Sequence, residues 1–365
     1  MSRQSELAEL SRIFDSSALS NRNLIINGSC QVNQRGDSTG ISTQGYHGPD
    51  RFDLGVNGRD QWVVSISQAA DGPDGYSNSF KLQTTTVETS ITDTEYVMVR
   101  QIIEAQNLQH LAYGTSSAKK LTASFWVKSS ITGTFGIFMY QYDGNRTIGS
   151  TYTINSANTW EYKTVTFAGD TGGTINDDNG AGQYLAFTIA AGSDLTTTDN
   201  TSWGSYSAGK FGFGHSTAAN AVMTTLNATW QVTGVQLEVG DSATSFEHRS
   251  YGDELLRCKR YYEEISGGSD AFTFSAKGQG STSADATINL TVPLRASPTL
   301  NSVNSRAFGD SGTFDASSST TPTVSQFDAN NPCVVLNCGG FDALTNNKIV
   351  NWCPVGNTLE IDAEL

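Results

Sequence analysis

The chain has 365 residues, of which 37% are hydrophobic and only 16% are charged, and its formal net charge is −14. A length of this order predicts roughly two to three domains, each with a core of its own. The negative charge opposes a general attraction to nucleic acid or to anionic membranes. From the charge we therefore predict no nucleic-acid partner. No apolar run is long enough to span a bilayer, so we also predict no membrane insertion.

Residues 1–22 form an N-terminal segment of their own. Leu7, Leu10 and Phe14 follow i, i+3, i+7 spacing, which predicts an amphipathic helix over 3–14. Acidic residues interrupt the segment, so it lacks the pattern of a signal peptide, and we expect synthesis and folding in the cytoplasm. A helix this short is marginal alone. We interpret it as an attachment or oligomerisation element, with a helix folded back on its own domain as the alternative.

Residues 23–248 are strand-like almost throughout. Turn clusters such as ADGPDGYSNS and GDTGGTINDDNGAG separate the strands. Many strands with polar loops and no crossover helix indicate an antiparallel, jelly-roll-like β-sandwich. The segments richest in β-branched and aromatic residues are QWVVSIS (61–67), EYVMVRQIIEA (95–105), KLTASFWVKSS (120–130), GTFGIFMYQYD (133–143), WEYKTVTFAG (160–169), QYLAFTIA (183–190) and TWQVTGVQLEVG (229–240).

The remaining third of the chain begins with a helical pattern. The run GDELLRCKRYYEE (252–264) predicts a short helix within a linking segment, 249–265. Residues 266–365 return to Ser, Thr and Gly with short strands punctuated by proline. We therefore predict a mainly β protein with a sandwich, a linking helix and a smaller C-terminal β domain at the tip.

The search for catalytic and cofactor motifs gives a negative result. The sequence contains no GxxxxGK[ST] loop, no HExxH helix and no CxxC pair. Asp177, Asp178 and Asn179 offer oxygen ligands for calcium, but their spacing does not match a calcium-loop consensus, and we expect a solvated turn. We predict no catalytic residues, no cofactor and no metal site. Hydrolysis of a glycan by a pair of carboxylates is left open.

Aromatic residues are a more informative signal, because Phe, Trp and Tyr make up 10% of the chain. The face of an aromatic ring stacks on the C–H face of a sugar, while loop amides and carboxylates bind the hydroxyls. Six aromatic residues occupy positions that a core strand does not require, and from these six we take Tyr142, Trp203, Tyr206 and Trp352 as candidate glycan-binding residues. Ordinary core packing is the alternative for each. The aromatic residues at positions that a core strand does not require are Tyr140, Tyr142, Trp160, Trp203, Tyr206 and Trp352.

Two motifs carry a resemblance to a known class of protein. The stretch VQLEVGDSATSFEHRSYGDELLRCKRYY (235–262) resembles a segment that recurs in tail-fibre and virion structural proteins of marine and other environmental phages. The opening NLIINGSCQVNQRG (23–36), together with GPDRFDL (48–54), looks like the start of the same module, which is similar to the jelly rolls of carbohydrate-binding modules. The resemblance covers about residues 23–262.

The resemblance implies a tail-fibre protein located in the virion, a homotrimer and binding to glycans of the host cell surface. From the motif search we expect no enzymatic activity, and from the helical pattern of residues 3–14 we expect attachment to other phage tail or adaptor proteins through the N-terminal segment. Several copies held together would convert weak sugar contacts into avidity. A structural virion component without receptor binding is the first alternative, and a polysaccharide depolymerase is the second.

Overall fold

The computed structural model describes residues 21–58, 61–266, 274–301, 305–308, 314–318, 322–339, 344, 349–354 and 358–365. The helix predicted for residues 3–14 lies outside these described residues. The chain divides into two compact units, one reaching to Glu254 together with Leu365 and the other spanning Leu255–Glu364. Each unit is described by itself.

Strands dominate the first unit. Among its described residues, the short helical elements are three 3₁₀ turns at Ala105–Leu111, Ser193–Leu195 and Ala208–Lys210, and helix α1 at Ala221–Thr224; helix α2, Tyr251–Lys259, begins in this unit. Its strands are β1 Ser38–Ile41, β2 Gly45–Tyr46, β3 Asp53–Asn57, β4 Val63–Ala69, β5 Ser79–Thr86, β6 Tyr96–Glu104, β7 Leu121–Ser129, β8 Gly133–Gln141, β9 Arg146–Ile154, β10 Glu161–Phe167, β11 Ala181–Ala191, β12 Gly204–Ser205 and β13 Thr229–Val239.

Within the described residues, these strands form two antiparallel sheets that enclose one core. Sheet A has the strand order β1-β4-β5-β13-β7-β10, and sheet B has the order β12-β9-β8-β11-β6-β3-β2. Inner residues of both sheets, such as Phe125 and Val127 of β7 and Phe135 and Ile137 of β8, belong to one buried cluster. Burying a side chain of this size stabilises the fold by roughly 1.5–3 kcal/mol. The predicted antiparallel, jelly-roll-like sandwich is confirmed.

The second unit is a smaller β structure, as the sequence predicted. Its core includes Ile288, Leu336 and Ile361, which are completely buried. Its described strands form one sheet in the order β14-β23-β17 and another in the order β19-β18-β22-β15-β16-β21-β20. The strands are β14 Tyr262–Ser266, β15 Phe274–Gly278, β16 Ser283–Asn289, β17 Thr299–Asn301, β18 Ser305–Phe308, β19 Phe314–Ser318, β20 Thr323–Phe327, β21 Cys333–Gly339, β22 Ile349–Pro354 and β23 Thr358–Asp362.

Helix α2 ends earlier than the sequence pattern predicted. The predicted helix over 252–264 stops at Lys259, and Tyr262–Ser266 forms strand β14 instead. Tyr262 pairs with Asp362 and Glu264 pairs with Glu360 of strand β23. Pairing with a strand about a hundred residues later outweighs the local apolar spacing, because helix propensity is a weak preference that tertiary contacts override.

The first unit is closed by a polar region that we call the seam, formed by residues 23–34 against residues 235–254. The Asn23 side chain donates to the carbonyl of Val235 at 3.1 Å and accepts from the Leu237 amide at 3.0 Å. Buried backbone groups need such partners, and residues 23–34 have no strand ladder to supply them. The seam therefore supplies, from side chains, the hydrogen bonds that a strand would receive from its neighbour.

Asn27 holds the bend of the first half of the seam. Its φ is +59°, a left-handed conformation that asparagine tolerates better than most residues. Its side-chain amide donates to the carbonyls of Val32 at 2.8 Å and Asp50 at 3.0 Å. The next residue is Gly28, where a Cβ atom would lie 2.1 Å from the carbonyl oxygen of Val235. The Asn-Gly pair is thus required by this close backbone approach.

Arg249 holds the second half of the seam. Its guanidinium contacts Glu247 at 3.0 Å and Glu254 at 3.4 Å, and it donates to the carbonyl of Ile25 at 3.1 Å. Glu254 in turn accepts the backbone N–H of Asn27 at 2.6 Å. Both motifs that carry the phage-fibre resemblance therefore meet in the seam, where their polar residues bind one another.

Candidate functional site

The outer face of sheet B, directed away from the core, is apolar and aromatic. In β6, Val97 and Val99 lie in the main core, whereas Met98 and Ile102, which point the opposite way, belong to a separate buried cluster with Tyr184 of β11. A sheet with one packed face usually presents polar residues on the other. The outer face of sheet B departs from that pattern, which marks it as the candidate site.

Eight aromatic rings gather on this face, and we call them together the tyrosine face. Tyr140 and Tyr184 are direct partners on β8 and β11, with ring centroids 5.3 Å apart. Tyr206 reaches Tyr140 at 5.5 Å and Phe211 at 5.1 Å, so the loop after β12 closes one side. The rings of the tyrosine face are Tyr46, Tyr96, Phe138, Tyr140, Tyr142, Tyr184, Tyr206 and Phe211.

An ion pair lies at the centre of the tyrosine face. Arg100 of β6 donates from Nε to Oδ2 of Asp53 of β3 at 2.6 Å, and the two residues are direct cross-strand partners. The Arg100 guanidinium lies 5.2 Å from the ring centroid of Tyr184, within the range of a cation–π contact. Tyr46 pairs with Asp53 on the far side. The charged pair is thus framed by rings on neighbouring strands.

The phenols around this ion pair stay protonated over a wide pH range. Burial raises the pKa of Tyr46 to about 12, against a smaller lowering by Arg51. Burial also raises the pKa of Tyr96 and Tyr142, and Arg100 opposes the rise in both cases. For Tyr184, burial raises the pKa well above its ordinary value. The tyrosine face therefore presents neutral hydroxyls, which both donate and accept hydrogen bonds at physiological pH.

Exposure divides the tyrosine face into a base and a rim. Phe138 and Tyr184 are 2% and 3% exposed, so they form a packed base. Tyr140 and Tyr142 are half-buried, and Tyr206 is 36% exposed at the rim. Ring contacts at 5.1 Å between Tyr140 and Tyr142 fix the rim rings against one another. The arrangement offers flat, immobilised apolar surfaces beside hydroxyl and guanidinium donors.

The structure brings together two of the four candidate residues. Tyr142 and Tyr206 both belong to the tyrosine face through Tyr140. Trp203 instead packs edge-on against Tyr113 at 5.8 Å, and its indole N–H donates to the carbonyl of Ala168 at 2.6 Å. Trp352 lies on strand β22 of the second unit, where its backbone pairs with Phe274.

Sequence reasoning missed Tyr46, Tyr96, Tyr184, Arg100 and Asp53. A signal for Tyr96, Arg100 and Tyr184 was present in the segments EYVMVRQIIEA and QYLAFTIA. In each segment, both faces of the strand carry mostly apolar or aromatic residues. That pattern predicts a strand buried on both faces. It does not reveal which strands adjoin, so the meeting of Arg100 with Asp53 was not accessible.

The loop carboxylates form a turn of their own. Asp178 accepts the Gly180 N–H through Oδ1 at 2.8 Å, and its carbonyl accepts the Gln106 N–H at 2.8 Å. Across the part of the chain that the structure describes, no three His, Cys, Asp or Glu residues are grouped so as to hold a metal ion. Within the same residues, none of the helices is long and apolar enough to span a bilayer.

Comparisons with known proteins give structural likenesses only. No family model matches the sequence, and no curated protein matches it. Among solved structures, the enzymatically active domain of tailspike protein 4 of bacteriophage CBA120 is 13% identical over 60% of this chain, with a TM-score of 0.34. The chain spans 22% of the length of that tailspike chain.

Two further likenesses are to carbohydrate-binding modules. The family 11 module of a cellulosomal cellulase of Clostridium thermocellum is 14% identical, with 56% of this chain and 100% of the module covered and a TM-score of 0.29. A xylan-binding domain from Paenibacillus barcinonensis is 11% identical, with 60% and 96% covered and a TM-score of 0.25. These values do not transfer a ligand or an activity to the present chain.

Proposed function

We propose that this chain is a glycan-binding fibre protein of a phage virion, and that the tyrosine face is its binding surface. The observation that carries the proposal is the set of aromatic rings around the Arg100–Asp53 pair on an outer sheet face. The half-buried and exposed rings at the rim, Tyr140, Tyr142 and Tyr206, supply the stacking surface.

The physical chemistry of the face suits a sugar. A pyranose ring has apolar C–H faces that stack on aromatic rings and equatorial hydroxyls that need polar partners. Arg100 and the neutral tyrosine hydroxyls provide those partners beside the rings. Because ring-to-ring contacts already hold the rim side chains, binding loses little side-chain entropy, and this preorganisation increases affinity.

Binding without turnover is part of the proposal. The carboxylate at the centre of the face belongs to Asp53, whose side chain is only 3% exposed and is held by Arg100 at 2.6 Å. A general acid must instead be able to reach the leaving oxygen of a sugar. The engagement of Asp53 with Arg100 therefore favours recognition over hydrolysis.

The virion location, the homotrimer and the attachment through the N-terminal segment complete the proposal. The virion location and the homotrimer rest on the likeness of residues 23–36 and 235–262 to phage fibre segments, and the attachment rests on the helical spacing of Leu7, Leu10 and Phe14. Weak sugar contacts gain strength when copies are held together, since binding of one copy raises the effective concentration of the next. A trimer of this chain would present three tyrosine faces to the host surface.

The test compares the native chain with Tyr142→Ala and Tyr206→Ala. Binding is measured on an array of bacterial surface glycans, and the mass in solution is recorded by analytical ultracentrifugation. Each truncation removes part of the stacking surface and should weaken binding about tenfold or more. Tyr251→Ala is the matched control, because Tyr251 is 57% exposed on α2 and is not part of the tyrosine face.

Four outcomes would contradict all or part of the proposal. Equal binding by all variants would remove the tyrosine face from the mechanism. A chain that binds no glycan would favour a structural virion component, and release of new reducing ends from bound glycan would favour a depolymerase. A monomeric mass would overturn the homotrimer while leaving the binding surface intact.

A further inference from the structure

The outer face of sheet A carries a second group of rings, separate from the tyrosine face. Tyr162 of β10 and Trp126 of β7 are direct cross-strand partners with ring centroids 5.3 Å apart. Both point away from the core, because their strand neighbours Phe125 and Val127 are buried inside it. Strand β10 is the edge of sheet A, and Tyr162 is 46% exposed there.

A polar network adjoins this ring pair. The carboxylate of Asp71 accepts hydrogen bonds from the Lys128 ammonium and from the Trp160 indole N–H, the latter at 3.3 Å. The Lys128 ammonium also lies 5.0 Å from the centroid of the Trp160 ring. Lys128 is two residues from Trp126 on the same face of β7. We call Trp126, Tyr162, Trp160, Lys128 and Asp71 together the second ring patch.

The second ring patch resembles a ligand-binding site more than a cross-strand pair that only stabilises the sheet. A pair whose role is packing alone gains most when both rings are covered. Tyr162 instead leaves nearly half of its surface in water, and Trp126 and Trp160 are half-buried. The hydrogen-bonding groups beside them are already held in place by one another. Exposed flat rings next to fixed polar groups are the composition of a small-ligand site.

The charges indicate what kind of ligand fits. Lys128, the cation of the second ring patch, is paired with Asp71. Its positive charge is thus offset by a carboxylate. A carboxylated or sulfated sugar would need an unmatched positive charge, whereas a neutral saccharide needs only the rings and the polar groups.

We infer that the second ring patch binds a neutral saccharide unit, so that one chain holds glycan on both outer faces of its sandwich. The class of ligand rests on the proposed function, but the site does not include any residue of the tyrosine face. A chain with two sites on opposite sheets would bind two separate glycan segments. This would raise avidity within each copy, in addition to that between copies.

Tryptophan fluorescence distinguishes the two faces. The tyrosine face contains only tyrosine and phenylalanine rings, whereas Trp126 and Trp160 belong to the second ring patch. Trp62 and Trp230 are buried in the core, at 1% and 0% exposure. Acrylamide quenching is measured in a Trp203→Phe, Trp352→Phe background, because Trp203 is a third half-buried tryptophan and Trp352 is itself a candidate glycan-binding residue. Neutral mixed-linkage glucan, xylan, galactan, mannan and dextran are the probes, with polygalacturonate as the charged comparison.

The expected result is protection of tryptophan from acrylamide by at least one neutral glycan, together with a stoichiometry of two short oligosaccharides per chain by calorimetry. Tyr162→Ala should weaken this binding about tenfold and lower the stoichiometry to one. Tyr142→Ala should leave the protection unchanged, and Tyr251→Ala should change neither measurement. Trp126→Phe should abolish most of the protection while the chain stays folded.

The failures of the two proposals are separable. Binding that Tyr142→Ala weakens, without any tryptophan protection, would overturn the second ring patch and leave the tyrosine face standing. Protection that Tyr162→Ala removes, together with a calorimetric affinity and stoichiometry that Tyr142→Ala leaves unchanged, would support the second ring patch and overturn the tyrosine face. Protection by polygalacturonate alone, or by none of the neutral glycans, would also overturn the inference.

Discussion

The seam and the tyrosine face are two outlying regions of the same sandwich with opposite construction. In the seam, Asn27, Glu254 and Arg249 bind backbone groups and one another, and their side chains are almost fully buried. In the tyrosine face, rings such as Tyr142 and Tyr206 remain accessible at the rim. The seam thus closes the fold, whereas the tyrosine face offers a surface.

The difference separates the residues that carry a recognisable motif from those that we propose to bind the ligand. The motifs that resemble phage fibres, NLIINGSCQVNQRG and VQLEVGDSATSFEHRS, converge on the seam. All eight rings of the tyrosine face come from strands and loops outside those motifs, and of its ion pair only Asp53 lies in GPDRFDL (48–54). A recognisable motif in this chain therefore marks how the sandwich is closed, and it says little about the ligand.

The strongest way to test this contrast is to break the seam with Arg249→Ala. Removing one partner of a buried ion pair leaves the others unpaired, so the free energy of unfolding should fall by about 3–5 kcal/mol. Denaturant unfolding measures the loss. Glycan binding of the fraction that remains folded should not change.

The matched control for that experiment is Lys120→Ala. Lys120 and Asp241 are 3.9 Å apart with side chains 57% and 72% exposed, and an exposed pair of this kind contributes at most about 1 kcal/mol. A loss in Arg249→Ala no larger than in the control would show that the seam does not close the fold.

Acid should act on the sheet B side before it acts on the seam. Burial lowers the pKa of His215 from 6.5 to about 4, against a smaller raising effect of its hydrogen bond to Asn220. Between these values only the unfolded chain binds a proton, so stability should fall as the pH decreases from 6.5 to about 4, by about 3 kcal/mol.

The seam responds in a lower range. Although burial raises the pKa of Glu247, the Asn23 N–H and Arg249 lower it more, and the net pKa lies below 4.5. The contribution of Glu247 is therefore complete above pH 4.5 and is lost as the pH falls through its lowered pKa. His215→Asn should flatten the stability curve between pH 6.5 and 4. Burial also lowers the pKa of His110, but its side chain is exposed, so His110→Gln should flatten the curve less. An unchanged slope in His215→Asn would contradict the assignment.

The smallest expected effect comes from Tyr140→Phe at the rim of the tyrosine face. The phenol donates to Oδ1 of Asn145 at 3.0 Å. Tyr140 is half-buried and Asn145 is exposed. Loss of one such hydrogen bond should lower the free energy of unfolding by about 1 kcal/mol or less. Thermal unfolding checks the value. A loss above about 3 kcal/mol, the cost of emptying a core position, would indicate that the face is ordinary core.

The sandwich was predictable because strand alternation is a local property of the sequence. The alternation in KLTASFWVKSS predicts that Phe125 and Trp126 point to opposite faces of the strand. The site was less predictable, because β6 lies between β11 and β3 and this order is set by long-range pairing. Tyr142, Tyr206 and Trp203 were predicted to bind glycan from residue type alone, and they stay predictions. The structure places Tyr142 and Tyr206 near Tyr140, and Trp203 against Tyr113.

The seam also determines when this unit is able to fold during synthesis. The hydrogen bond between the Asn27 amide and Glu254 joins residues 227 positions apart, and Arg249 reaches Ile25 over 224 positions. Until residue 254 has left the ribosome, residues 23–34 of the nascent chain therefore lack their hydrogen-bond partners in the seam. Contacts this distant along the sequence slow folding and leave sheet edges exposed meanwhile. The nascent chain thus depends on remaining soluble for most of its translation before the sandwich closes.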